Sequence, residues 1–206
     1  MKNNFIKFLK KTNPRPYIIA EIGSNHNGNL DLCEKQIKLA SLAGADAVKF
    51  QKFNDNNTFS KISYKKNKLL KISDVKKFSI SIEDLKKIEK MCKKHKIELG
   101  VTPLSYDDVL LIKKFIKINF FKIASGDANN LNFVKFVANQ KKPTIISFGM
   151  CNKIEIQNSV NSFLKINKEL AIMHCVSIYP TPLSKINLNR IYTLKKMFKN
   201  IKVGFS

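Results

Sequence analysis

Residues 98–124 read Glu-Leu-Gly-Val-Thr-Pro-Leu-Ser-Tyr-Asp-Asp-Val-Leu-Leu-Ile-Lys-Lys-Phe-Ile-Lys-Ile-Asn-Phe-Phe-Lys-Ile-Ala. Two short apolar runs, Glu98 to Thr102 and Phe120 to Ala124, read as strands. Between them Ser105 is a helix cap, and Val109, Ile112 and Ile116 recur at helical spacing. A strand that returns through a helix rather than a tight turn lies parallel to the strand before it. These 27 residues therefore predict one βαβ unit.

The same alternation extends both ways. Towards the N-terminus, Tyr17 to Ile22 and Asp46 to Gln51 read as strands around a helix from Asp31 to Ala43, capped by Asn29 or Asp31 and stopped by Gly44. Asn54 to about Ser79 has no period and reads as a long loop, a length that compact domains mostly keep for function. Ser81 to Asp84 resembles a capping box ahead of the stripe Leu85, Ile88 and Cys92. Towards the C-terminus come a helix through Val134 and Ala138, a strand from Thr144 to Ser147, and a helix capped by Asn152 with Glu155 and carrying Ile156, Val160 and Phe163. Leu170 to Val176 is the next strand, Leu188, Ile191 and Leu194 mark a helix, and Ile201 to Phe205 is the last strand.

Seven strands, six intervening helices and no strand doublets predict an α/β protein with a parallel sheet. An open doubly wound sheet and a (β/α)8 barrel both satisfy the pattern. The first turn, Gly23-Ser-Asn-His-Asn-Gly28, lacks the Gly-rich fingerprint of the open fold. Glu21, Lys49, Gln51, Thr102, Lys122, Ser125, Ser147, Ser177 and Ser206 all fall at or just past strand C-terminal ends, where a barrel keeps its catalytic rim. The expectation is a (β/α)8 TIM-type barrel over 17–206, stopping on strand seven, behind a basic segment over 1–16.

Composition narrows the class. Hydrophobic residues make up 44% of 206, enough for a core. No apolar run reaches the ~18–20 residues of a membrane span. Lys7, Lys10 and Lys11 break up the first apolar residues, which argues against a signal peptide. Cys33, Cys92, Cys151 and Cys175 form no CxxC pair and read as reduced, buried thiols, so the expected location is the cytoplasm. The net charge of +23 arises almost entirely from lysine, since Arg15 and Arg190 are the only arginines. Phosphate clamps and base readers favour the arginine fork, so the lysines read mainly as solvated helix faces. Neither a nucleic-acid nor a membrane partner is expected.

Two lysines stand out. Lys49 lies in Ala-Val-Lys-Phe-Gln and Lys122 in Phe-Phe-Lys-Ile-Ala, where an ammonium is costly without an anion. One such lysine would be read as snorkelling to solvent. Two, with strand-end hydroxyls from Thr102, Ser125, Ser147 and Ser206, describe a pocket for a small polyanion. Glu21 is either a general acid/base or a carboxylate bonding turn amides. His26 and His174 could be metal ligands, but a metal site wants clustered ligands and the chain has three histidines; His174, mid-strand in Ile-Met-His-Cys-Val, reads as a hydrogen-bonded core residue. Tyr179-Pro-Thr-Pro182 is a stiff loop in which Tyr179 either faces a ligand or packs.

Six segments, in order, resemble the sialic acid synthases, the family that makes N-acetylneuraminic, legionaminic and pseudaminic acids. They are Ile-Ile-Ala-Glu-Ile-Gly-Ser-Asn-His-Asn-Gly (18–28), Gly-Ala-Asp-Ala-Val-Lys-Phe-Gln (44–51), Lys-Ile-Ala-Ser-Gly-Asp (122–127), Lys-Pro-Thr-Ile-Ile-Ser-Phe-Gly-Met (142–150), His-Cys-Val-Ser-Ile-Tyr-Pro-Thr-Pro (174–182) and Val-Gly-Phe-Ser (203–206). The first looks closer to the neuraminic and legionaminic branch. The resemblance implies a homodimeric barrel enzyme that condenses phosphoenolpyruvate with an open-chain N-acetylated hexosamine, aided by Mn2+ or Mg2+. It implies that Lys49, Thr102, Lys122, Ser125, Ser147 and Ser206 hold phosphoenolpyruvate. Glu21 would manage a proton or the attacking water, and Gln51, Asp127, Ser177 and Tyr179 would face the sugar. In the family the last motif continues into Asp-His, whose histidine binds the metal. A second metal histidine lies on strand eight, and an antifreeze-like domain follows. All of these are expected to lie beyond Ser206, leaving no metal ligand within the chain. Phe148 stands where the family usually has Thr, and Ser177 where some members have Asn.

Overall fold

The structure is a computed structural model that describes residues 3–11, 15–52 and 77–206. Most of the expected loop from Asn54 to Ser79 lies outside the described residues. The described strands are β1 (Ile19–Gly23), β2 (Ala47–Lys52), β3 (Glu98–Pro103), β4 (Phe120–Ile123), β5 (Thr144–Phe148), β6 (Leu170–His174) and β7 (Lys202–Phe205). The described helices are α1 (Asn4–Lys10), α2 (Leu30–Leu42), α3 (Ile82–Lys94), α4 (Tyr106–Phe115), α5 (Leu131–Asn139), α6 (Lys153–Leu164) and α7 (Asn189–Met197). One of the last six separates each pair of successive strands. The chain is thus α/β, with parallel pairing at each described register. Among the described residues no helix is long and apolar enough to cross a membrane.

The chain divides into two compact units. One is Pro14–Asn119; the other joins Met1–Asn13 to Phe120–Ser206. The first holds β1, β2 and β3 in chain order, the second β4 to β7 in chain order. Neither contains the reversal of strand order that marks the switch point of a doubly wound sheet. Strands β3 and β5 are buried along their whole length, as expected where helices cover a parallel sheet.

The helix starts follow local chemistry. Asn29, Ser81, Ser105, Asn130 and Asn152 each accept a hydrogen bond from a first-turn backbone N–H, and Asn152 with Glu155 closes a full capping box. Helix α7 differs from expectation. It starts at Asn189, and Leu188 stands before it as an exposed residue without a side-chain cap bond. The N-terminal lysines also conceal a helix. α1 buries Phe5 at 1% exposure, with its ring 4.8 Å from that of Phe120. Lys10 pairs with Glu169 at 3.4 Å, and the Lys202 ammonium donates to the Lys11 carbonyl at 2.6 Å. Three residues of the amphipathic turn thus tie the N-terminus to the second unit.

Phe5→Ala is expected to cost ~3–5 kcal/mol in urea unfolding, the usual loss for a buried phenylalanine. Lys7→Ala, on the exposed side of α1, is expected to stay within about 0.5 kcal/mol of the parent. Equal effects from the two would mean that α1 does not contribute to the core.

Candidate active site

In the first unit, parallel register aligns Glu21, Lys49 and Gly100, and places Gln51 beside Thr102. Side chains two residues apart share a face, so Glu21, Lys49, Gln51 and Thr102 look the same way. Gly100 offers no side chain beside Lys49, and the lysine extends towards Thr102. Its ammonium lies 2.5 Å from Glu21 Oε2 and donates to Thr102 Oγ1 at 3.0 Å. The lysine side chain is 3% exposed and the glutamate 47%, so the carboxylate links a buried charge to solvent. The register of β1 shifts between Glu21 and Gly23. Gly23 has φ +56°, and a Cβ there would stand 3.2 Å from Glu21 Oε1. Glycine is therefore what leaves room for the carboxylate.

The other face of β2 carries a second buried pair, which sequence reading misses. Lys52 lies 3.5 Å from Asp108, and both are buried. Asp108 also accepts from the Ser105 hydroxyl at 2.8 Å, so the cap of α4 and the end of β2 share one carboxylate. The signal available for it was the Ser105-x-x-Asp108 spacing together with a lysine at a strand end. His26 follows β1. Its Nδ1 accepts the Gly28 N–H at 2.9 Å, and its buried Nε2 has no hydrogen-bond partner among the described residues. Burial lowers its pKa below the usual imidazole range.

In the second unit the polar groups stand at the C-terminal ends of β4 to β7. Register sets Lys122 beside Ile145, Ser147 beside Met173, and Met173 beside Gly204. Lys122 and Ser147 therefore share a face. The half-buried Lys122 ammonium donates to Ser206 Oγ at 3.4 Å and forms no ion pair among the described residues. Ser147 is buried, and its hydroxyl has no partner among them. Ser125, in a short 3-10 turn after β4, accepts from the Gly149 N–H at 2.9 Å and from the Ser177 hydroxyl at 3.1 Å. Asp127 ends the same turn, and burial raises its carboxyl above the usual range. Tyr179 stands apart, 92% exposed.

Glu21, Lys49 and Thr102 are thus brought together, as are Lys122 with Ser206 and Ser125 with Ser177. Gln51 shares a face with Lys49 and Thr102. Gly149 was not singled out in the sequence, although its place directly after β5 was the available signal. His174 is buried, with Nε2 on the Ile186 carbonyl at 2.7 Å. Among the described residues no three His, Cys, Asp or Glu side chains gather to hold a metal ion. Those residues do not fit the divalent ion that the resemblance implies.

Lysine and hydroxyl groups thus stand at the strand C-terminal ends of an α/β sheet. The NeuB family model matches residues 36–206, and the chain belongs to the NeuB family. It is 35% identical to the N,N'-diacetyllegionaminic acid synthase of Campylobacter jejuni over 96% of this chain and 61% of that protein. It is likewise 35% identical to the pseudaminic acid synthase of the same species, over 95% of this chain and 59% of that one. Identity therefore does not separate the two branches. The chain spans about three-fifths of the length of these relatives. The crystal structure of a sialic acid synthetase from Leptospira borgpetersenii, in complex with citrate, superposes with a TM-score of 0.84 at 29% identity, over 92% of this chain and 64% of that one.

His26 supplies a pH test. Folding holds its imidazole neutral, whereas the unfolded imidazole takes a proton near pH 6.5. Below that pH the unfolded state binds more protons, so stability falls on acidification, down to the lowered folded pKa. Urea unfolding free energy is expected to drop as the pH falls below about 6.5, and His26→Gln to flatten that part of the slope. An unchanged slope in the variant would remove His26 as its source.

Proposed function

We propose that this chain serves a nonulosonic acid synthase that joins phosphoenolpyruvate to an open-chain N-acetylated hexosamine. The C3 carbon of phosphoenolpyruvate attacks the sugar aldehyde, water adds at C2, and phosphate leaves from the resulting tetrahedral centre. A (β/α)8 barrel, a cytoplasmic location and a homodimer belong to the same proposal. So does a divalent metal, held by ligands other than the described residues.

One observation carries the reading. The second unit collects an ammonium without a carboxylate partner, Lys122, with the hydroxyls of Ser125, Ser147 and Ser206 at strand C-terminal ends. Buried or half-buried donors without acceptors are suited to an anion, and charge-assisted hydrogen bonds are the stronger kind. The citrate complex of the Leptospira relative supports a polyanion ligand. In the first unit, Lys49 and Thr102 are proposed, from the resemblance, as phosphoenolpyruvate contacts. Glu21, ion-paired yet open to solvent, would position the water or move its proton. Gln51, Asp127, Ser177 and Tyr179 are proposed on the sugar side.

A second reading, ligand binding without turnover, is favoured by the lack of a metal-ligand group among the described residues. Phosphate release from phosphoenolpyruvate with N-acetylmannosamine and Mn2+ separates the two: turnover supports synthesis, and binding alone supports the second.

Phosphoenolpyruvate is expected to raise the melting temperature of the chain, as any ligand of the folded state does. Lys122→Ala is expected to remove a charge-assisted contact of ~1.5–3 kcal/mol, weakening affinity about 10- to 150-fold. Equal protection of parent and variant would take Lys122 out of the site.

A further inference from the structure

Ser125 is placed to do more than contact a ligand. A serine hydroxyl has one proton and two acceptor lone pairs. The Gly149 N–H can only donate, and it occupies one lone pair at 2.9 Å. The Ser177 hydroxyl stands at 3.1 Å and occupies the second when it donates. The Ser125 proton is then left to point away from both. An anion that accepts this proton fixes the direction of the Ser177 bond, because Ser125 has no second proton to give. Each bond in such a chain strengthens the next.

The approach of Ser177 depends on a missing side chain. A Cβ at Gly149 would lie 2.5 Å from Ser177 Oγ, 2.8 Å from Cys175 Sγ and 3.0 Å from the Cys175 carbonyl oxygen. Only glycine at 149 lets the segment after β6 bring its serine onto Ser125. The close approach and the hydrogen bond are separate observations of the same arrangement.

We propose that Ser177 is a positioning residue for the anion cluster, holding the Ser125 hydroxyl so that its proton is presented to the phosphate or carboxylate group of the ligand. This deepens the reading above and rests on it, and it moves Ser177 from the sugar side to the anion side.

The test is calorimetric titration of phosphoenolpyruvate and of inorganic phosphate, without sugar, into the parent chain, Ser177→Ala, Ser177→Thr, Ser125→Ala and the double alanine variant. Ser177→Ala is expected to weaken anion affinity about two- to tenfold, the scale of one neutral hydrogen bond, with the ligand-free melting temperature unchanged. Ser177→Thr is expected to restore it. In the Ser125→Ala background, Ser177→Ala is expected to add nothing, because it acts through Ser125. Parent-like affinity of Ser177→Ala, no rescue by threonine, or the same loss in both backgrounds would each overturn the proposal. If the parent chain binds neither anion, the anion-site reading itself falls.

Discussion

A lysine ammonium in the interior of a strand must find a negative partner, and Lys49 of the first unit meets that need across three strands. Its partner is Glu21 on β1, its hydroxyl acceptor is Thr102 on β3, and the residue directly beside it is Gly100. A shift of one residue in any of the three strands would turn one of these groups to the opposite face. The register shift between Glu21 and Gly23 falls directly after the paired carboxylate. Lys52, on the other face of β2, has Asp108. At the opposite end of the strands, Glu98 accepts from the Tyr17 hydroxyl, and Asp46 holds both Arg15 and the Ile18 N–H. Buried carboxylates in this unit are each met by a donor. Against that background, Lys122 of the second unit, which forms no ion pair among the described residues, is the ammonium on which the proposed anion site rests.

The large positive charge has a structural use. Lys93 and Lys94, Lys113 and Lys114, and Lys195 and Lys196 occupy the last turns of α3, α4 and α7, where cations complement the helix dipole. Lys141 donates to the Ile166 carbonyl at 2.5 Å, and Lys168 to the Leu164 carbonyl at 2.6 Å, closing helix ends whose carbonyls would otherwise face water. These residues account for lysines far from the strand ends without any ligand, as the shortage of arginine suggested.

Strand and helix alternation was legible because each element carries its own period and its own cap. Asn29, Ser81, Ser105 and Asn152 were all visible as helix starts. Helix α1 was not, because three lysines interrupt a short apolar pattern whose one buried anchor, Phe5, gains meaning only against Phe120. Leu188 was drawn into α7 by hydrophobic spacing, but the chain there is still in a turn. For the site, position along each strand was enough to select the residues. Their pairing was not legible, because it depends on register between strands far apart in sequence. Glu21 with Lys49, Ser177 with Ser125, and Lys52 with Asp108 are contacts of this kind. The sugar-side assignment of Ser177 came from resemblance, whereas its hydrogen bond to Ser125 required coordinates.

The central claim is that Lys49 is kept in an apolar strand for a ligand and not for the fold. Exchange of a whole buried ion pair for apolar side chains is often neutral or stabilising, whereas removal of one partner is costly when the other charge is left buried. Glu21, nearly half exposed, keeps its hydration when the lysine is removed. The direct measurement is the unfolding free energy of Lys49→Met with and without phosphoenolpyruvate. The account predicts a ligand-free stability equal to or above that of the parent, with ligand stabilisation lost. A variant that loses several kcal/mol without ligand, yet gains as much from phosphoenolpyruvate as the parent does, would contradict it.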